Sequence, residues 1–209
     1  MIEQGSVEWH ALRCGKVTAS RIGDMMARTK SGWGASRANY KAQLVAERLT
    51  GLVADGFSNA AMQWGIDTEP AARAAYEMYA DQAIELVGFV DHPRIAMSGA
   101  SPDGLVGDSG LVEIKCPNTG THIETLLGGS VPQKYVLQML WQMACTGRQW
   151  CDFVSYDPRM PEDLRLFVRR LDMDPAKVGE IAGEVTTFLA EIDLTLGELN
   201  RLYRSQAAE

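Results

Sequence analysis

The chain has 209 residues, 46% hydrophobic and 22% charged, which suits one domain with a sizeable core and argues against disorder. Its net charge of −7 argues at first sight against a polyanionic partner, yet the charge is unevenly spread. Residues 1–50 carry eight Lys and Arg against four acids, and the remaining 159 residues carry twelve against 23, which allows a basic surface on an acidic protein. No apolar run reaches the length of a membrane span, and the start MIEQGSVEW lacks the basic and apolar regions of a secretory leader. A cytoplasmic protein without membrane contact is therefore expected. Cys14, Cys116, Cys145 and Cys151 form no C-x-x-C pair and His10, His92 and His122 are not grouped, so free thiols are expected rather than a zinc or iron–sulfur site.

Taken in chain order, Thr18-Ala-Ser20 before RIGDMMAR predicts a short helix capped by Thr18 or Ser20, with Ile22, Met25 and Met26 on one face. Residues 36–50 repeat apolar positions at helical spacing (Tyr40, Leu44, Val45, Leu49), and Gly51 supplies a stop. A third helical stretch covers 59–80, with Trp64 read as core. Pro70 inside it predicts either a kink or a fresh first turn capped by Thr68, and either reading sets Glu69 near the bend. From residue 83 the pattern turns to short strands: AIELVGFV, IAMS, Gly104-Leu-Val106 and Leu111–Cys116, the last two joined across Gly107-Asp-Ser-Gly110. Helical spacing returns at 132–146, then WCDFVSYDP and LRLFVRRL read as strands. Asp174-Pro175 predicts an N-cap, and the stripe from Val178 to Leu202 a long closing helix. The class is mixed α/β.

Ser101-Pro-Asp-Gly104 and Glu113-Ile-Lys115 carry the most chemistry. In an alternating strand Glu113 and Lys115 share a face, and a hairpin closed at 107–110 returns Asp103 beside Glu113. Two carboxylates and a lysine at a sheet edge suit phosphodiester hydrolysis. Hard oxygen ligands hold Mg²⁺ while leaving positions for water and phosphate, and a lysine can orient the water or stabilise the charged transition state. The same residues also form an ordinary turn and an ordinary exposed strand face. On the helix at 132–146, Tyr135, Gln138 and Gln142 make a polar stripe at i, i+3 and i+7, which calls for partners if it is buried.

Ser101-Pro-Asp-Gly-Leu105 with Leu111-Val-Glu-Ile-Lys-Cys-Pro117 resembles the viral recombinase branch of the PD-(D/E)XK nucleases, the phage lambda exonuclease or YqaJ-like type. Trp9-His-Ala-Leu-Arg13 with Val17-Thr-Ala-Ser20, Met62-Gln-Trp-Gly65 with Glu69, Tyr135-Val-Leu-Gln138, and Tyr156-Asp-Pro-Arg-Met160 are similar to its other blocks, in order, from about residue 3 to about residue 200. The resemblance implies a single nuclease domain over 1–209, with a mixed central sheet flanked by helices. It implies a 5′→3′ exonuclease that degrades one strand of linear double-stranded DNA and leaves a 3′ tail for strand annealing. Asp103, Glu113 and the main-chain carbonyl of Ile114 are then the ligands of Mg²⁺, for which Mn²⁺ can substitute. Lys115 is the catalytic lysine, and Glu69 supports a second metal or the nucleophilic water. Arg13, Ser20, Ser101 and Gln138 bind the 5′-phosphate. Met62 stands where the family has a leucine wedge, and Lys30 or Arg28 where it has an arginine reaching the DNA. Cys116 is expected to be a buried strand residue. A homotrimeric ring, a single-strand annealing recombinase as partner, and a phage or prophage origin in a bacterial cell are further implications. The rivals are an endonuclease or single-strand nuclease on the same fold, and a DNA-binding module that has lost catalysis.

Overall fold

The computed structural model describes residues 2–53 and 60–204. The chain opens with α1 (Val7–Arg13), where the Ser6 hydroxyl accepts from the Trp9 N–H. β1 (Val17–Thr18), a 3-10 turn (Ala19–Arg21) and α2 (Ile22–Met25) follow. The short helix expected here forms without the expected cap: the Thr18 hydroxyl pairs with that of Ser20 at 3.4 Å, and neither side chain caps a backbone N–H of the turn or of α2. A small hairpin, β2 (Arg28–Thr29) with β3 (Gly32–Trp33), leads into α3 (Ala35–Thr50), which stops at Gly51 with φ 70°. α4 (Ala60–Ala80) runs through Pro70, so no new helix begins at Thr68.

The strands are β4 (Ile84–Glu85), β5 (Val90–Asp91), β6 (Ser98–Ala100), β7 (Gly104–Val106) and β8 (Gly110–Lys115). Then come α5 (Thr119–Gly128), α6 (Gln133–Thr146), β9 (Trp150–Tyr156), β10 (Leu166–Asp172) and α7 (Pro175–Tyr203). The expected cap of the last helix is made: Asp174 accepts from the N–H groups of Ala176 and Lys177, both at 3.0 Å.

The main sheet has the order β10-β9-β8-β7-β4, with β8 and β9 parallel and the other pairs antiparallel. Alternation along its strands sends two sets of side chains to opposite faces. Leu111, Cys151, Phe153 and Phe167 join the larger core with α2, α3, α6 and α7. Val106, Val112, Ile114, Val154 and Tyr156 pack against Ala72 and Tyr76 of α4. Fully burying each such side chain contributes roughly 1.5–3 kcal/mol. The mixed sheet flanked by helices is the architecture expected from the sequence. No described helix is long and apolar enough to cross a membrane.

Candidate active site

The β7–β8 pairing sets Gly104 opposite Val112, so the next pair outward is Asp103 and Glu113. Gly107, at φ 53°, closes the turn in a conformation that glycine adopts without strain. β7 begins only at Gly104, and the Asp103 carboxylate just before it takes the place of a strand bond by accepting from the Ile114 N–H at 2.6 Å. A residue in an extended strand turns its N–H and C=O to the same side. The Ile114 carbonyl therefore faces the edge that Asp103 occupies.

Glu113 points to the opposite face from Ile114, toward α6, and is fully buried. Its Oε1 accepts from Gln138 Nε2 at 2.5 Å and pairs with the Lys115 ammonium; its Oε2 accepts from Gln142 Nε2 at 2.6 Å. A buried carboxylate costs several kcal/mol unless it is paired and hydrogen-bonded, and the polar stripe of α6 supplies those bonds. Gln142 spends its amide on Glu113, and its own Oε1 is buried with no partner.

Burial and then the Glu113 charge push the Asp103 carboxyl well above its ordinary range, with Lys115 offsetting part of the rise. Burial would pull the Lys115 ammonium down, but Glu113 and Asp103 outweigh it, and the group is held raised and charged. Glu69 lies on α4, ion-paired with Arg73 one turn on at 2.7 Å, and its charge is felt at Asp103. Three carboxylates thus face two cations. Among the described residues no three His, Cys, Asp or Glu side chains form a ready cage for a metal ion. Two carboxylates plus the Ile114 carbonyl nevertheless suit a hard cation that keeps several waters, and such a cation would relieve the crowding that raises Asp103.

Two residues before Asp103, Ser101 ties this centre to a second site. Its Oγ accepts from Arg13 Nη1 and from Trp9 Nε1, both at 3.0 Å, and the guanidinium lies 4.1 Å from the Trp9 ring centroid. Burial lowers the Arg13 pKa from its ordinary value. Arg13 and Ser20 line one cavity of about 220 Å³, with the buried Glu47 at its wall. Arg13, Ser20 and Ser101 are thereby brought together, whereas the Gln138 amide is directed to Glu113. The arrangement offers a guanidinium and hydroxyls to an anion beside a carboxylate centre.

Residues 8–149 match the YqaJ-like viral recombinase domain. The chain belongs to this family. It is 53% identical to an alkaline exonuclease, LHK-Exo, from Laribacter hongkongensis, over 96% of this chain and 100% of that one, with a TM-score of 0.90. A second structure of LHK-Exo, in complex with dAMP, gives the same values. A phage-related exonuclease from Haemophilus somnus shares the fold, with a TM-score of 0.70 at 15% identity, over 88% of this chain and 96% of that one. A comparison with curated proteins gives no match.

On this YqaJ-like domain the remaining residues sit apart. Met62 is 52% exposed on α4. Arg28, on β2, stacks 3.7 Å from the Trp33 ring centroid and pairs with Glu184 at 2.9 Å, while Lys30 is exposed in the β2–β3 turn. Cys116 corrects its expectation: β8 ends at Lys115, and the thiol is half-buried just beyond it. Trp64, expected in the core, is half-buried under the Arg159 guanidinium. Arg73 as the partner of Glu69 was legible from the i, i+4 spacing. The Trp9–Ser101 bond spans 92 residues and leaves no local signal.

Proposed function

We propose that the protein is a Mg²⁺-dependent 5′→3′ exonuclease of linear double-stranded DNA that leaves a 3′ single-stranded tail for recombination by strand annealing. The convergence of Asp103, Glu113 and Lys115 beside the Arg13–Ser101 pair carries this reading. Family membership and the likeness to an alkaline exonuclease support it. Asp103, Glu113 and the Ile114 carbonyl would hold Mg²⁺, or Mn²⁺ in its place, and the ion when bound supplies charge neutralisation at the phosphate oxygens. Glu113 is held in place by its two amide donors. Lys115 holds a proton that it donates as a hydrogen bond to the charged phosphoryl oxygens. Glu69 orients the attacking water. The water oxygen bonds to phosphorus as it releases a proton to solvent, the P–O3′ bond breaks, and the leaving O3′ takes up a proton from solvent. The released nucleotide keeps a 3′-hydroxyl, and the shortened strand carries a new 5′-phosphate for Arg13, Ser20 and Ser101. Gln138 would reach that phosphate only by sharing its amide with Glu113.

The test is a time course on linear duplex labelled at either end, with Mg²⁺ and with chelator, beside a closed circular control. Loss from 5′ ends only, an uncut circle and silence in chelator are expected. Lys115→Ala should lower the rate by about a hundredfold or more. Cutting of the circle would make it an endonuclease, and shortening from 3′ ends would reverse the polarity.

A further inference from the structure

The block Tyr156–Met160 leaves the end of β9. Asp157 is fully buried; its Oδ1 accepts from the Arg159 N–H at 3.0 Å and Nε at 2.7 Å, and its Oδ2 from Arg159 Nη2 at 2.9 Å and Thr119 Oγ1 at 2.7 Å. The clamped guanidinium reaches two further segments. Nη2 donates to the Pro117 carbonyl at 3.2 Å, two residues past Lys115, and the guanidinium carbon lies 4.3 Å from the Trp64 ring centroid on α4.

α4 has reason to need that contact. Pro70 has no N–H to give to Ile66, so the helix ladder is interrupted beside Glu69. The half beyond Pro70 is anchored by the buried Ala72 and Tyr76, with Tyr76 Oη donating to Asp152 at 2.8 Å and Arg170 holding Asp152 on the far side. The half before it buries only Thr68, while Met62 and Ile66 are exposed. Trp64 is its aromatic anchor.

Building on the nuclease reading, we propose that Arg159 is a positioning residue whose clamped guanidinium grips Trp64 and fixes the first half of α4, with Glu69, over the Asp103–Glu113–Lys115 centre. The grip is a charge laid on an aromatic face, held in a fixed plane by a bidentate carboxylate. Lysine cannot reproduce that plane.

Arg159→Met and Arg159→Lys should both lower kcat by about tenfold or more, with KM for duplex within about twofold. Trp64→Phe, which keeps a flat face, should stay near wild type. Combining Arg159→Met with Glu69→Gln should cost no more than Glu69→Gln alone, because both act through one carboxylate. Arg169→Met is the control. It removes an arginine that donates to the Gly129 carbonyl at 2.8 Å and lies 5.0 Å from the Phe167 ring centroid, yet should leave kcat unchanged. Amide hydrogen exchange gives a measurement independent of activity: Arg159→Met should speed exchange at 64–69 by about tenfold and leave 72–80 unaltered. Unchanged exchange at 64–69, equal kcat losses in Arg159→Met and Arg169→Met, or additive losses with Glu69→Gln would each overturn the assignment. A wild-type protein inactive on DNA would overturn the nuclease reading and leave the exchange result to decide the contact.

Discussion

Glu113 has both oxygens occupied by side chains that lie 25 and 29 residues along the chain. That α6 must offer polar groups somewhere was legible from three polar positions on an otherwise apolar helix. That they serve Glu113 was not, because no local pattern records which strand a helix covers. Arg13 shows the same division. Its residue type suits a phosphate, and the structure turns it to Ser101 and the Trp9 face rather than to the neighbouring Glu8. A phosphorylated 5′ end carries more negative charge than a 5′-hydroxyl, and a bidentate contact to it contributes on the order of 1.5–3 kcal/mol. Linear duplex with 5′-phosphate should therefore be degraded about tenfold to a hundredfold faster than the hydroxyl form. Arg13→Ala should shrink that ratio more than it weakens overall DNA affinity, both measured at one salt concentration. An unchanged ratio would remove Arg13 from end recognition.

At the scale of elements, α3, α6, α7 and the β7–β8 hairpin were legible because each has a sustained period and a terminal signal. Gly51 stops one helix and Asp174-Pro175 starts another. α5 was missed: Thr119, Gly120 and Thr121 are poor helix formers, and the element rests on the Asn118 cap and on burial of His122 against Ser155 and the Leu164 carbonyl. Strands of two residues, such as β2 and β3, are too short to show alternation. The junction of β9 with α5 makes its own prediction about pH. Burial alone would raise the Asp157 carboxyl, but Arg159 and Thr119 outweigh it and hold it at about 2, against an ordinary 3.8. A folded-state pKa below the unfolded one gives stability that is complete above about pH 4 and lost as pH falls toward 2. The loss is on the order of 2 kcal/mol. Denaturant titrations across that window should show it in wild type and not in Asp157→Asn. A parallel fall in the variant would assign the acid sensitivity elsewhere.

For the whole molecule, the uneven charge seen in the sequence is offset in part by ion pairs within the chain. Arg28 pairs with Glu184, Arg37 with Glu191, Arg48 with Asp193, Lys16 with Asp91 and Arg21 with Asp24. Five of the eight cations of the first quarter are thus paired within the chain at 2.9 Å or closer, three of them by α7. The trimeric ring expected from the sequence resemblance stands as a proposal of its own. Light scattering should report about three times the 22.9 kDa chain mass, and a monomer that degrades duplex processively would remove the ring. The ion pairs from α3 to α7 bear on how the chain is made as well as on what it binds. Arg37 is buried, and the carboxylate that neutralises it stands 154 residues downstream. A nascent chain emerging from the ribosome carries this guanidinium long before its counter-ion exists. Closing the larger core must wait for the last helix, since an unpaired charge cannot be sealed inside it. The docking of α7 is thus the step that completes the larger core, and a chain without Glu191 leaves this guanidinium short of its nearest carboxylate.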